Sequence, residues 1–161
     1  MTHVIRPATA DDVPHIVRHR EQMFREMGTR CDYAAMADAC ARWYLEAVPA
    51  GTYRGWMIDA HGGGSTAGEA ARVVGGGGLI VMPWSPGPLR FDPRMAFVYN
   101  VYVDPAHRGL DLAKRMMDAI HAWCRAEGIE RLALNASHLG QPVYAALGYA
   151  VTAEPMMRLD L

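Results

Sequence analysis

One stretch limits the folds open to this chain more than any other. Residues 96–103 run almost unbroken through apolar and aromatic side chains, stop at Asp104-Pro105, turn through Arg108-Gly109 and lead into a periodic segment from Leu112. A strand this apolar must be covered on both faces, which makes it a central strand of a layered α/β sheet. In the segment that follows, Leu112, Met116, Ala119, Ile120 and Trp123 share one helical face until Gly128. The junction also has chemical value. The first N–H groups of a helix have no intrahelical acceptor and lie at the positive end of its dipole, so they suit an anion such as a pyrophosphate.

The flanking segments fill in the sheet. Val4-Ile5-Arg6 reads as a first strand stopped by Pro7, and Thr9 with Asp12 makes a capping box for a helix ending at Gly28. A second helix is expected over 33–48, with Met36, Cys40, Trp43, Tyr44 and Ala47 inward. Strands follow at 54–60 and 73–82, the latter with Gly75-Gly76-Gly77-Gly78 at its centre. Four glycines weaken a strand, so this one holds a bulge or is closely approached from outside. Segments 61–72 and 83–93 read as loops, 131–136 as a strand, 142–147 as a short helix and 149–161 as a returning strand. Because several strands meander without crossover helices, the sheet should be mixed.

Bulk properties narrow the function. The 161 residues suit one domain, 1–161, with no internal repeat. A net charge of −1 gives no electrostatic case for nucleic acid or an anionic membrane. The N-terminal residues lack a signal-peptide core, and no apolar run is long enough to span a bilayer. Cys31, Cys40 and Cys124 are odd in number and form no Cys-x-x-Cys, which points to a reducing cytoplasm.

Two motifs, in order and separated by a helix and a strand, carry a family likeness. One is Val101-Tyr102-Val103-Asp104-Pro105-Ala106-His107-Arg108-Gly109; the other is Gly140-Gln141-Pro142-Val143-Tyr144-Ala145-Ala146-Leu147-Gly148-Tyr149. With the opening Ile5-Arg6-Pro7-Ala8-Thr9, they make the chain resemble the GNAT superfamily, the GCN5-related N-acetyltransferases, over nearly its whole length. The resemblance implies an α/β fold with a central, mixed, splayed sheet of six to seven strands and about four helices. It implies acetyl-CoA as co-substrate, no metal, and a primary amine of a small molecule or, less closely, of a peptide as acceptor. Backbone groups of Val101, Tyr102 and Val103 would pair with the pantetheine arm. Those of Arg108, Gly109, Leu110, Asp111, Leu112, Ala113 and Lys114 would hold the pyrophosphate, and Tyr144 would protonate the departing thiolate. A homodimer is allowed, since members of the superfamily often pair.

Three departures qualify this pattern. Asp111 stands where the family's phosphate loop carries its middle glycine; it either faces phosphate or caps the helix start. Ser137 stands where many members have asparagine, and either contacts the pantetheine arm or caps the turn after the strand. No carboxylate occurs between Ala96 and Val103 to act as a base, leaving Glu21, Glu26, Asp32, His138 or a water chain. Two alternatives to an acetyltransferase follow: a non-catalytic ligand-binding or sensor protein impaired at Asp111, or a transferase for a longer acyl-CoA accommodated by the glycines at 75–78. Specificity is assigned to the first two helices, especially 28–33, and to the 83–93 loop, where Trp84 is a candidate for the substrate mouth. His15 and His19, four apart on the first helix, have a metal-compatible spacing but no third ligand, and read as a solvated face.

Overall fold

The computed structural model describes residues 1–62, 71–153, 157 and 159. In chain order they form β1 (Thr2–Pro7), α1 (Val13–Glu26), α2 (Tyr33–Ala47), β2 (Tyr53–His61), β3 (Arg72–Pro83), β4 (Arg94–Val103), α3 (Leu112–Ala126), β5 (Leu132–Leu134) and α4 (Gln141–Ala146). The sheet order is β1-β2-β3-β4-β5. The first four strands pair antiparallel and β5 pairs parallel to β4, so the sheet is mixed.

Alternation along the strands sends side chains to two cores. Ile58, Val74 and Val98 pack beneath Leu112, Met116, Met117 and Ile120 of α3. Met57 and Val73, their neighbours, face the other way onto Val13 and Ile16 of α1, Tyr44 and Ala47 of α2, and Tyr53. Ile120 and Met116 are fully buried, each contributing on the order of 2–3 kcal/mol of transfer free energy. α1 is entered as the Thr9–Asp12 pattern predicts: the Thr9 N–H donates to Asp12 Oδ2 at 2.8 Å. Arg6 grips the same carboxylate through both terminal nitrogens, at 2.8 Å each. These bonds, above all those from Arg6, hold the Asp12 carboxyl down at about 2.

The glycine run does what its composition suggests, in both senses. The β3–β4 register shifts between Gly76 and Gly78, and the backbone is closely approached from both faces. A Cβ on Gly78 would collide with the ring of Tyr53, one on Gly76 would meet His19 Nδ1 at 3.1 Å, and one on Gly77 would meet Met116 Cγ at 3.1 Å. The space left by these glycines is therefore filled by Tyr53, His19 and Met116. It offers no room for the longer acyl chain considered above.

Two expectations, on His19 and Trp43, are corrected, and the strand count differs slightly. The described residues hold five of the six to seven strands, because Tyr149–Ala153 carry no strand; residues 154–156, 158, 160 and 161 lie outside the described set. β5 pairs with β4 through only three residues and so offers a returning strand little edge. The chain is instead held at Tyr149, whose N–H donates to the Tyr144 carbonyl at 3.0 Å and whose hydroxyl lies 2.8 Å from His121 Nε2. His19 is not on a solvated face: it is 1% exposed. Trp43, expected inward, is 41% exposed. Most of the loop read at 61–72 lies outside the described residues, since 63–70 are not among them.

Candidate active site

β4 is paired on both sides only at its start. On the β5 side the ladder covers Ala96 to Val98 and ends, so the sheet opens beyond Val98. Backbone direction past this point follows from one hydrogen bond. The Asp104 N–H donates to Val74 O of β3 at 2.8 Å, so by alternation Tyr102 also faces β3, while Val101 and Val103 face the opening. Of Val101, Tyr102 and Val103, the first and last therefore turn their backbone to the opening and Tyr102 turns its backbone to β3. Tyr102 directs its ring towards α1, stacked on His19 at 5.3 Å. The Val103 carbonyl already accepts from Arg108 Nε at 2.9 Å.

The bulge that permits this turn is centred on Asn100, which has a φ of 55° in mid-strand. Asparagine tolerates the left-handed region better than most residues. Here its side chain is also held from two sides: Oδ1 accepts from Arg20 Nη1 at 2.8 Å, and Nδ2 donates to the Tyr44 hydroxyl at 2.5 Å.

Beyond β4 the chain makes a 3-10 turn over Pro105–His107 and enters α3 at Leu112. Gly109 has a φ of 77° and Asp111 one of 55°. The second value explains why a glycine suits this position: the backbone is left-handed there. The Asp111 side chain accepts no capping hydrogen bond, which removes the capping role considered from sequence. It also forms no ion pair with Lys114 or Arg115, and Arg115 donates to the His3 carbonyl instead. The N–H groups of Leu112, Ala113 and Lys114 therefore remain as first-turn donors without an internal acceptor. The Arg108 N–H is not one of them, since it donates to Pro105 O at 3.3 Å. The Arg108 side chain turns away onto Glu26, at 2.7 and 2.8 Å.

Tyr144 lies on α4, packed against the core cluster that includes Val98, Val103, Leu112 and Met116. Its hydroxyl has no hydrogen-bond partner among the described residues, and burial pushes its pKa up, so it holds its proton at neutral pH. Gly140 makes room for it: a Cβ there would stand 2.8 Å from Tyr144 Cε2. Ser137 supports this turn, its Oγ accepting from the Gly140 N–H at 3.2 Å. The hydroxyl proton of Ser137 is not consumed by that bond.

The carboxylates considered as bases all have structural partners. Glu21 binds Arg25, Glu26 binds Arg108, and Asp32 caps α2 through the Ala35 N–H at 3.0 Å. His138 is exposed. On the α1–α2 face of the sheet a cavity of about 300 Å³ is lined by Arg20, Ala39, Cys40, Trp43, Tyr44, Tyr53, Ile80 and Tyr99. Sequence reading gave specificity to the first two helices without finding Arg20 or Tyr53. Trp84 does not line this cavity.

The free edge of β4, the donor-rich start of α3 and the neutral Tyr144 together suit an extended ligand ending in a polyphosphate. The model of the acetyltransferase (GNAT) family matches residues 18–149. A GCN5-related N-acetyltransferase from Ralstonia eutropha JMP134 is 33% identical and superposes with a TM-score of 0.84 over 98% of this chain and 99% of that one. A predicted acetyltransferase with acetyl-CoA from Clostridium acetobutylicum shares the fold at a TM-score of 0.84 and 20% identity, over 99% and 96% of the two chains. A glucosamine 6-phosphate N-acetyltransferase from Trypanosoma brucei brucei is 31% identical over 90 residues. That alignment covers 56% of this chain and 58% of that protein, little more than half the length of either. The match to the family model spans most of the chain, and on it the protein belongs to the GNAT family of acetyltransferases.

Proposed function

We propose that the protein is an acetyl-CoA-dependent N-acetyltransferase acting on a primary amine of a small molecule. The observation that carries this reading is the β4 edge left without a neighbouring strand beyond Val98 among the described residues, followed in the chain by the first-turn donors at Leu112, Ala113 and Lys114. Acetyl-CoA supplies an acetyl group activated as a thioester. The chain's own residues do the rest. Val101 and Val103 present backbone groups to the pantetheine arm, and the N–H at Val101 polarises the acetyl carbonyl, a contribution of roughly 3 kcal/mol for one well-placed donor. The α3 N-terminus receives the pyrophosphate, and the Ser137 hydroxyl keeps a proton to donate to the pantetheine arm. Tyr144 gives its proton to the departing sulfur, and its raised pKa keeps that proton available across neutral pH. The carboxylates weighed as bases are engaged elsewhere, so the amine loses its proton through water.

The test is Tyr144→Phe, followed by chromatographic release of free CoA, since the exposed Cys31 would react with thiol dyes. We expect turnover to fall by about a hundredfold with acetyl-CoA affinity within about twofold of wild type. Parallel loss of both would remove the acid assignment. Failure of the wild type to bind any acyl-CoA would leave a ligand-binding protein with a disabled cofactor site, which the Asp111 carboxylate makes the competing reading.

A further inference from the structure

The cavity on the α1–α2 face has a chemical character that the reaction alone does not dictate. Four of its lining residues are aromatic (Trp43, Tyr44, Tyr53 and Tyr99), and Arg20 is the single charged residue among them. Each tyrosine with a resolved shift is moved up by burial, so Tyr44 and Tyr53 stay neutral. Nothing in the lining balances the guanidinium. Arg18 and Arg25, the other arginines of α1, bind Asp104 and Glu21. Arg20 has no carboxylate partner among the described residues. It donates from Nη1 to Asn100 Oδ1 and rests over the Phe24 ring at 4.9 Å, leaving the Nε and Nη2 edge uncommitted. That edge is the fork that binds a carboxylate through two parallel hydrogen bonds.

Arg20 is also tethered at an informative place. Asn100 is the bulge residue, and Val101, whose N–H faces the opening, follows it directly. A carboxylate held by a guanidinium that is anchored to Asn100 lies close to the point where an amine would meet the acetyl carbonyl. The remainder of the acceptor then extends into an aromatic cavity. We infer that the acceptor is an amine bearing a carboxylate on the adjoining carbon and an apolar or aromatic side chain, with Arg20 reading the carboxylate. This rests on the acetyltransferase reading above and deepens it. A sugar phosphate fits less well. Much of the lining its hydroxyls would meet, Ala39, Cys40, Trp43 and Ile80, offers them no strong hydrogen-bond partner, and buried hydroxyls without partners are costly. A phosphate dianion would meet one guanidinium only.

Three amines that differ in one group test this: phenylalanine, phenylalaninamide and phenethylamine, with glucosamine 6-phosphate as the anionic polar comparison. Acetyl-CoA titration of the wild type is run first and decides the acetyltransferase reading on its own. Phenylalanine is expected to exceed phenethylamine in kcat/KM by about a hundredfold, as two charge-assisted hydrogen bonds predict. In Arg20→Gln that ratio should collapse to within about threefold, with the loss carried mainly in KM for phenylalanine. Equal use of the amide and the acid, or a ratio unchanged in Arg20→Gln, would overturn the inference while leaving the acetyltransferase intact. Preference for glucosamine 6-phosphate would overturn it as well. If no amine is acetylated, calorimetric titration of phenylalanine into wild type and Arg20→Gln still decides: binding lost in the variant supports the pocket assignment, and no binding to wild type refutes it.

Discussion

Replacing Asp111 separates two effects that its position combines. The residue has a left-handed backbone, and its carboxylate is exposed, uncapped and unpaired beside the free donors of α3. A unit charge pair at ~4 Å is worth about 1 kcal/mol in water and about 4 kcal/mol near a protein surface. An exposed carboxylate belongs near the lower figure, so its removal should tighten acetyl-CoA by about fivefold. Stability should move little. The left-handed backbone costs a non-glycine residue about 1 kcal/mol, least for aspartate and asparagine. Glycine gives back about 0.4–1 kcal/mol through the unfolded chain, and the lost dipole interaction costs a further ~0.3–1 kcal/mol. The expected change in Tm for Asp111→Gly is therefore within about 3 °C. Asp111→Asn isolates the charge, because asparagine keeps the shape and tolerates the same backbone. Calorimetric titration of acetyl-CoA into wild type, Asp111→Asn and Asp111→Gly should give similar tightening in both variants. The gap to wild type should shrink between about 0.1 M and about 1 M salt, as the screening length falls from ~10 Å to ~3 Å. Unchanged affinity in Asp111→Asn would refute the argument by showing that the carboxylate points away from the phosphates.

Three further outcomes are expected. Gly140→Ala places a methyl 2.8 Å from the Tyr144 ring, so kcat should fall by about tenfold or more while Tm stays within a few degrees; full activity would mean that the ring position is not limiting. Gly78→Ala forces a methyl against the fully buried Tyr53 and should cost about 3 kcal/mol by overpacking, read in urea melts; a loss under about 1 kcal/mol would show that Tyr53 can move. Burial, with Arg18 adding to it, brings the His19 pKa down to about 3. The unfolded chain then binds the extra proton first, so this contribution is complete above about pH 6.5 and is lost as pH falls towards 3, at up to ~1.4 kcal/mol per pH unit. His19→Gln, which can still accept from Arg18, should flatten stability between pH 6.5 and 4.5; an unchanged slope would remove His19 as the source.

What the sequence made legible follows from the range over which each signal acts. The 96–103 run and the Leu112–Trp123 stripe are local patterns, and the structure places an interior strand and a helix with a buried face there. The glycine run was readable as a bulge or a close approach because glycine leaves few other options. Its partners were not readable, since Tyr53 and His19 come from elements distant in sequence. His19 was misread for a related reason. Spacing put it four residues from His15, but only the tertiary structure puts its Nε2 2.9 Å from Arg18 Nη2 and its ring against Tyr102. A guanidinium must donate, so Nε2 accepts and Nδ1 carries the proton, a neutral tautomer that no single-chain pattern encodes. The Glu26–Arg108 pair spans 82 positions, so no local pattern removes Glu26 as a base.

Among the described residues only Asn100 and Asp111 combine a side chain with a positive φ. They bracket the segment that runs from the opening of the sheet to the start of α3. Left-handed non-glycine residues cost free energy and persist where surrounding contacts compensate them, often at functional sites. The compensation differs sharply between these two. Asn100 is 5% exposed, and both its amide atoms are engaged, by Arg20 and by Tyr44. Its strained backbone is thus coupled to the aromatic cavity on one side of the sheet and to the free β4 edge on the other. Asp111 is exposed and its carboxylate makes no capping bond or ion pair. Nothing local offsets its strain, so glycine should be accepted at 111 and resisted at 100. Asn100→Gly would keep the backbone angle but release Arg20 and the Tyr44 hydroxyl together. It should therefore impair acceptor selection far more than acetyl-CoA affinity, the reverse of the balance at Asp111.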